Sequence, residues 1–134
     1  MRRHPEAFSQ PVIDRLAVGA LIEETTYVRA QGLQGMLFEA AMDKLFANAD
    51  FVLAPVTRLY RPARPGPEAD STQVAALNLE LLDLNRWVNL LGLPAVAFPV
   101  AAGTAGETVG LQLIGRPHSD WALLEAARDL ATRG

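Results

Sequence analysis

A chain of 134 residues that is 50% hydrophobic, 20% charged and 7% aromatic falls within the range of ordinary globular domains, and one domain spanning residues 1–134 is the expectation. Its 12 basic against 15 acidic residues leave a net charge of −3, the wrong sign for a protein that binds by neutralising phosphates, so nucleic acid is not an expected partner. The absence of cysteine removes disulfides, thiolate metal sites and cysteine nucleophiles and suits a reducing cytoplasm, while no apolar run is long enough to span a bilayer.

Pro11 can open a first helix, because its fixed φ suits a first turn and its missing N–H is not needed there; Ile13, Leu16, Ala17, Ala20 and Leu21 follow at helical spacing. Thr25 and Thr26 suggest a break. Leu33, Met36, Leu37, Ala40, Ala41 and Leu45 then form the apolar stripe of a long or kinked helix, interrupted by Gly32 and Gly35 and ending near Asn48. Phe51 to Ala54, closed by Pro55, has the form of a strand buried on both faces.

Residues 57–72 carry Pro62, Pro65 and Pro67 together with Arg58, Arg61 and Arg64, a composition that favours a flexible, extended surface loop. The arginines recur every third residue, which on a polyproline-II segment would align them for an anion, although a solvated loop is the favoured reading. From Gln73 to Leu91 leucines and alanines dominate, with Asn78, Asp83, Asn85 and Asn89 among them, which predicts two short helices. Gly92 to Pro94 break that pattern. Ala95 to Val100 read as another buried strand, and Gly103, Gly106 and Gly110 mark a loop into a neighbouring antiparallel strand from Val109 to Ile114.

Ser119 or Asp120 can cap a last helix whose apolar face is Leu123, Leu124, Ala127, Leu130 and Ala131, with Arg128 and Arg133 placed to suit the dipole at its end. The element order predicts an α/β or α+β fold: a small mixed or antiparallel sheet of about three strands packed with amphipathic helices. Strands as apolar as Phe51–Ala54 and Ala95–Val100 are usually central. A second copy of the chain, a partner chain or the remainder of a larger protein is therefore expected to cover the sheet.

Three segments in order, Asn89–Pro99 (NLLGLPAVAFP), Val109–Arg116 (VGLQLIGR) and Asp120–Glu125 (DWALLE), resemble the C-terminal signature of the amidase signature family, and Tyr27 through Pro55 resembles that family's long helix leading into a strand. The resemblance covers residues 12–131 and is shared by amidases, allophanate hydrolases and the amidotransferase A subunit. It implies the C-terminal part of the amidase fold, and a family reaction in which a carboxamide C–N bond is hydrolysed through a serine acyl-enzyme. Two positions depart from the pattern: Val100-Ala101 stands where a glycine commonly follows the proline, and Glu107-Thr108 stands where Leu-Pro is usual. Both affect the loop between the strands, because proline fixes φ and glycine permits positive φ.

The resemblance also implies a Ser–Ser–Lys catalytic arrangement, and the matched region does not contain it. The chain has three serines, Ser9, Ser71 and Ser119, none in Gly-Ser-Ser-Gly surroundings, and one lysine, Lys44, expected on the polar face of a helix. No residue is therefore assigned a catalytic role, and the chain alone is expected to be inactive. His118, Ser119 and Asp120 are neighbours at a helix start, where convergence on one reacting atom is unusual. His4 and His118 have no cysteine or carboxylate cluster beside them, so neither a metal nor a cofactor is expected. The resemblance places Asn85, Arg86, Trp87 and Asn89 where the family's C-terminal part shapes the substrate pocket, which makes Trp87 and Asn89 the candidate substrate-binding residues. Gln112, on a strand, is expected to be a hydrogen-bonded structural glutamine.

Overall fold

The computed structural model describes His4 and residues 7–60, 62–102 and 106–133, the last without its side chain. The expectations placed on Arg61, Gly103 and the Arg133 side chain lie outside the described residues. The chain divides into two compact units, residues 1–36 and 37–134.

The first unit contains α1 (Gln10–Ala20) and the beginning of α2 (Glu24–Leu45). Pro11 sits in the first turn of α1 as its geometry requires, and Gln10 Nε2 donates to Asp14 Oδ1 at 2.8 Å one turn on. The break between the helices comes at residues 21–23, so Thr25 and Thr26 lie inside α2, contrary to expectation. Glu24 supplies the acidic first turn that suits the helix dipole, and the Tyr27 N–H donates to the Glu23 carbonyl at 3.1 Å, which fixes the start ahead of both threonines. Helix α2 then passes Gly32 and Gly35 without interruption. No described residue of this unit is buried.

The second unit is built on a three-stranded antiparallel sheet of β1 (Phe51–Pro55), β2 (Ala95–Ala102) and β3 (Glu107–Gly115), in the order β1-β3-β2. Strand β3 is central, and the two strands expected to be central form the edges. The reason lies in the small residues of β2. Val96, Phe98 and Val100 face a core, while Ala95, Ala97, Pro99 and Ala101 alternate with them on the exposed side, so a continuous apolar run is in fact a one-sided strand. On β1 the side chain of Leu53 is 52% exposed.

Alternation along β3 divides the core in two. Leu111, partly buried, and Leu113 point to the face covered by α5 (Asp120–Arg133), where Phe98, Leu123 and Ala127 are buried with Leu113. Ile114, fully buried, points to the other face, against Phe46, Val88 and Leu93, with Phe38 and Met42 of α2 packed around them. Strand β1 follows the same alternation, with Phe51 on the α5 face and Val52 and Ala54 on the opposite one. Helices thus pack on both faces of a small antiparallel sheet, within the α/β or α+β arrangement expected.

The strands flanking the hairpin are longer than expected, and the two departures from the family pattern explain the extension. Ala101 pairs with Thr108 and Ala102 with Glu107, residues that continue a ladder where glycine would weaken it and proline would interrupt it. Gly106, at φ 70°, supplies the positive φ within the turn.

Two short helices join β1 to β2, as the sequence predicts. Helix α3 (Ser71–Leu82) starts two residues before the expected position because Asp70 accepts from the Gln73 N–H at 2.8 Å while the Gln73 side chain accepts from the Asp70 N–H at 3.2 Å, a reciprocal cap. Helix α4 (Arg86–Leu91) ends at Gly92, whose φ of 64° a side chain would strain.

Candidate functional site

The two candidate residues of α4 face different ways. At roughly 100° per residue, positions 87 and 89 are about 200° apart around a helix. Trp87 is half-buried against the Phe46–Ile114 core and lines an apolar groove of about 270 Å³ with Leu37, Ala41, Lys44 and Leu90. Asn89 is exposed on the other side. With Asn85, one turn earlier on the same face, it lines a polar pocket of about 250 Å³ together with Val88, Leu93, Ala95 and Gln112. The structure therefore separates Trp87 from Asn89 and joins Asn89 to Asn85 and Gln112.

Gln112 is the best-fixed polar group of this pocket. It is 4% exposed and lies between Ala54 on β1 and Ala97 on β2. Its Nε2 donates to the Pro55 carbonyl at 3.0 Å and to the Leu84 carbonyl at 3.3 Å. One side chain thereby satisfies the end of β1 and the turn between α3 and α4, the structural role expected from its place on a strand. The two carbonyls also settle the orientation of the amide, since exchanging its oxygen and nitrogen would set an oxygen against both acceptors.

The serines occupy separate stations. Ser9 is exposed at the start of α1, and its side chain makes no capping bond. Ser71 is the exposed first residue of α3. Ser119 precedes α5, but its hydroxyl donates back to the Arg116 carbonyl at 2.7 Å. A Cβ built at Gly115 would run into that hydroxyl, so Gly115 is what allows Ser119 its position. Lys44 lies exposed in the last turn of α2, where a cation suits the helix dipole. His118 is exposed in the turn before Ser119, at a positive φ of 64°.

Several contacts had no sequence signal. The Arg116 guanidinium donates to the Phe46 carbonyl and lies over the Phe46 ring, 5.4 Å from its centroid, tying the end of β3 to the end of α2. Arg58 pairs with Asp83 at 2.9 Å, and Arg86 donates to the Leu79 carbonyl at 2.8 Å. Both side chains of the Arg58–Asp83 pair are well exposed, so solvent screens it and its contribution is small. The Tyr60 hydroxyl donates to Glu107, and that bond, with a smaller contribution from desolvation, raises the Tyr60 pKa above its ordinary value of 10.0. Among the described residues, no group of three or more His, Cys, Asp or Glu is placed to hold a metal ion, and no helix is long and apolar enough to cross a membrane.

Among the described residues the geometry is that of a scaffold with a polar pocket, the three serines standing apart from one another and from Lys44. Known proteins place that scaffold. The amidase family model matches residues 3–124. The chain is 30% identical over 135 residues to the A component of the glutamyl-tRNA(Gln) amidotransferase of Wolinella succinogenes, covering 97% of this chain and 29% of that protein. It is 33% identical over 105 residues to the fatty acid amide hydrolase of Arabidopsis thaliana, covering 75% of this chain and 17% of that protein. A solved amidase structure superposes with a TM-score of 0.69 at 29% identity, covering 98% of this chain and 30% of the other. An inhibitor-bound complex described as bearing on the origins of an s-triazine catabolic enzyme gives a TM-score of 0.71 at 28% identity, covering 99% and 29%. The chain thus spans less than a third of the length of these relatives, and by its sequence and its fold it belongs to the amidase family.

Proposed function

We propose that this chain is the C-terminal portion of an amidase-family hydrolase, and that it supplies scaffold and pocket wall rather than the groups that break the bond. The observation that carries the reading is the combination of a family match over residues 3–124 with the stations of the only three serines and the only lysine. Ser119 spends its hydroxyl proton on a backbone carbonyl, Ser71 opens one helix, and Lys44 ends another. A serine nucleophile needs a base within hydrogen-bond reach and aimed N–H donors for the oxyanion. In the family reaction a carboxamide is cleaved through an acyl-serine, and in this reading that serine and its Ser–Lys partners belong to sequence outside the matched portion. In this reading Asn89 lines the substrate side of the polar pocket, and Trp87, on the opposite face of α4, lines a separate apolar groove.

A second reading is favoured by the exposed apolar side chains: a non-catalytic module that binds a partner chain or a second copy of itself. Trp121 is 83% exposed on α5, and Leu53 stands uncovered on an edge strand. Both readings place the protein in the cytoplasm, without nucleic acid, metal or cofactor.

Labelling with an organophosphonate that phosphonylates activated serines, followed by intact-mass measurement, tests the first reading. The 134-residue chain is expected to gain no adduct under conditions in which a complete serine amidase is fully labelled. A stoichiometric adduct mapped to Ser9, Ser71 or Ser119 would contradict it. Analytical ultracentrifugation tests the second reading: a concentration-dependent dimer supports it, and a monomer that captures no amidase-type partner opposes it.

A further inference from the structure

We propose that the pocket formed by Asn85, Asn89 and Gln112 is a binding subsite for a neutral group that donates a hydrogen bond, such as an uncharged N–H or O–H; the proposal deepens the reading of Asn89 as a substrate-facing residue and rests on it.

The chemistry of the lining selects the ligand. Gln112 is buried, and both N–H bonds of its amide are directed at the Pro55 and Leu84 carbonyls. The polar atom left to face the pocket that Gln112 lines is Oε1, an acceptor that cannot turn away without breaking two hydrogen bonds. An acceptor fixed by two bonds to backbone carbonyls loses little rotamer freedom when a donor arrives, which is the condition under which a single hydrogen bond discriminates well. Asn85 and Asn89, spaced one turn apart on α4, each add a carboxamide able to donate and to accept.

The remaining lining side chains are Val88, Leu93 and Ala95, so among the described residues the pocket is lined by no ionisable group. An ammonium or a carboxylate entering it would shed water without meeting an opposite charge, and a neutral donor would not incur that cost. The volume, about 250 Å³, admits a small head group rather than a whole extended ligand.

The test is a titration of the isotopically labelled 134-residue chain, following the side-chain amide resonances of Asn85, Asn89 and Gln112. Three probes of similar size are compared: acetamide, which donates; N,N-dimethylacetamide, which has the same carbonyl and no N–H; and acetate, which is charged. Acetamide is expected to shift all three resonances saturably, with the other two probes at least roughly threefold weaker, the value of one net hydrogen bond. Asn89→Ala, at an exposed position that spares the core, is expected to weaken acetamide binding by about threefold to tenfold. Equal responses to acetamide and N,N-dimethylacetamide would overturn the proposal, as would tighter binding of acetate or no saturable shift. A failure here with no serine adduct in the labelling experiment removes the subsite and leaves the amidase reading in place; an adduct with binding intact does the reverse.

Discussion

Residues 7–36 and residues 37–133 have similar apolar patterning and opposite outcomes. In the first region Val12, Leu16, Leu21, Ile22, Tyr27, Val28 and Leu33 are all exposed, and no described side chain is buried. In the second, a sheet of three strands gathers Phe46 and Ile114 to complete burial and brings Leu113, Leu123 and Val88 close to it. An amphipathic stripe states that a face requires cover, and it does not state where the cover comes from. The sheet supplies cover for the second region through long-range pairing, as between Phe51 and Gly115. Among the described residues, α1 and the start of α2 show no such burial, and their apolar side chains stand exposed.

Substitutions sharpen this contrast. The largest loss is expected for Phe46→Ala, which empties a fully buried site and removes the surface beneath the Arg116 guanidinium; about 3–5 kcal/mol should be lost in chemical denaturation. Gln112→Leu fills the same space but leaves the Pro55 and Leu84 carbonyls without their donor, and about 1–3 kcal/mol is expected from the same measurement. Asp70→Ala removes one half of a reciprocal cap and should cost roughly 1 kcal/mol, with earlier loss of amide protection in α3 than in β3. Leu16→Ser, in α1, should leave the unfolding midpoint of the second region unchanged to within about 0.5 kcal/mol. A loss as large as that of Phe46→Ala would erase the distinction between the regions.

The smallest effect concerns pH. The folded state raises the Tyr60 pKa, so it favours the protonated hydroxyl that donates to Glu107. Stability from this bond is therefore present below the ordinary tyrosine value of 10.0 and is lost as pH rises through the higher folded value. Tyr60→Phe should remove this small, solvent-exposed contribution at neutral pH and flatten the alkaline portion of the stability profile, so that the variant and the parent chain converge as pH rises. An unchanged alkaline slope would remove the Tyr60–Glu107 bond from the account.

What was legible in the sequence was local. Periodicity located α1, most of α2 and α5, the composition of residues 73–91 gave two helices, and glycine at position 92 marked the end of α4. The expected start of α3 is two residues late, although Asp70 followed three residues later by Gln73 is a helix-start signal. Strand order was not. Alanines at positions 95, 97 and 101 count as apolar in a sequence yet stand exposed on an edge strand, so composition overstated how deeply β2 is buried.

The spatial grouping of the candidate residues was not legible in the sequence. Asn89 and Trp87 were singled out together, but α4 turns them into different cavities, and the companion of Asn89 is Gln112, distant along the chain and adjacent through β3. The same limit hid Arg116 over Phe46, a contact that exists only once β3 has formed beside β1.

The central claim, that this chain carries amidase-family scaffold without an amidase nucleophile, is tested most directly by ammonia release from a panel of aliphatic and aromatic amides, using chain whose mass confirms residues 1–134. The account predicts release indistinguishable from the uncatalysed rate for every amide. Turnover that follows the purified chain and disappears in Ser9→Ala, Ser71→Ala or Ser119→Ala would contradict it, because a complete site would then have to assemble within this chain or between its copies.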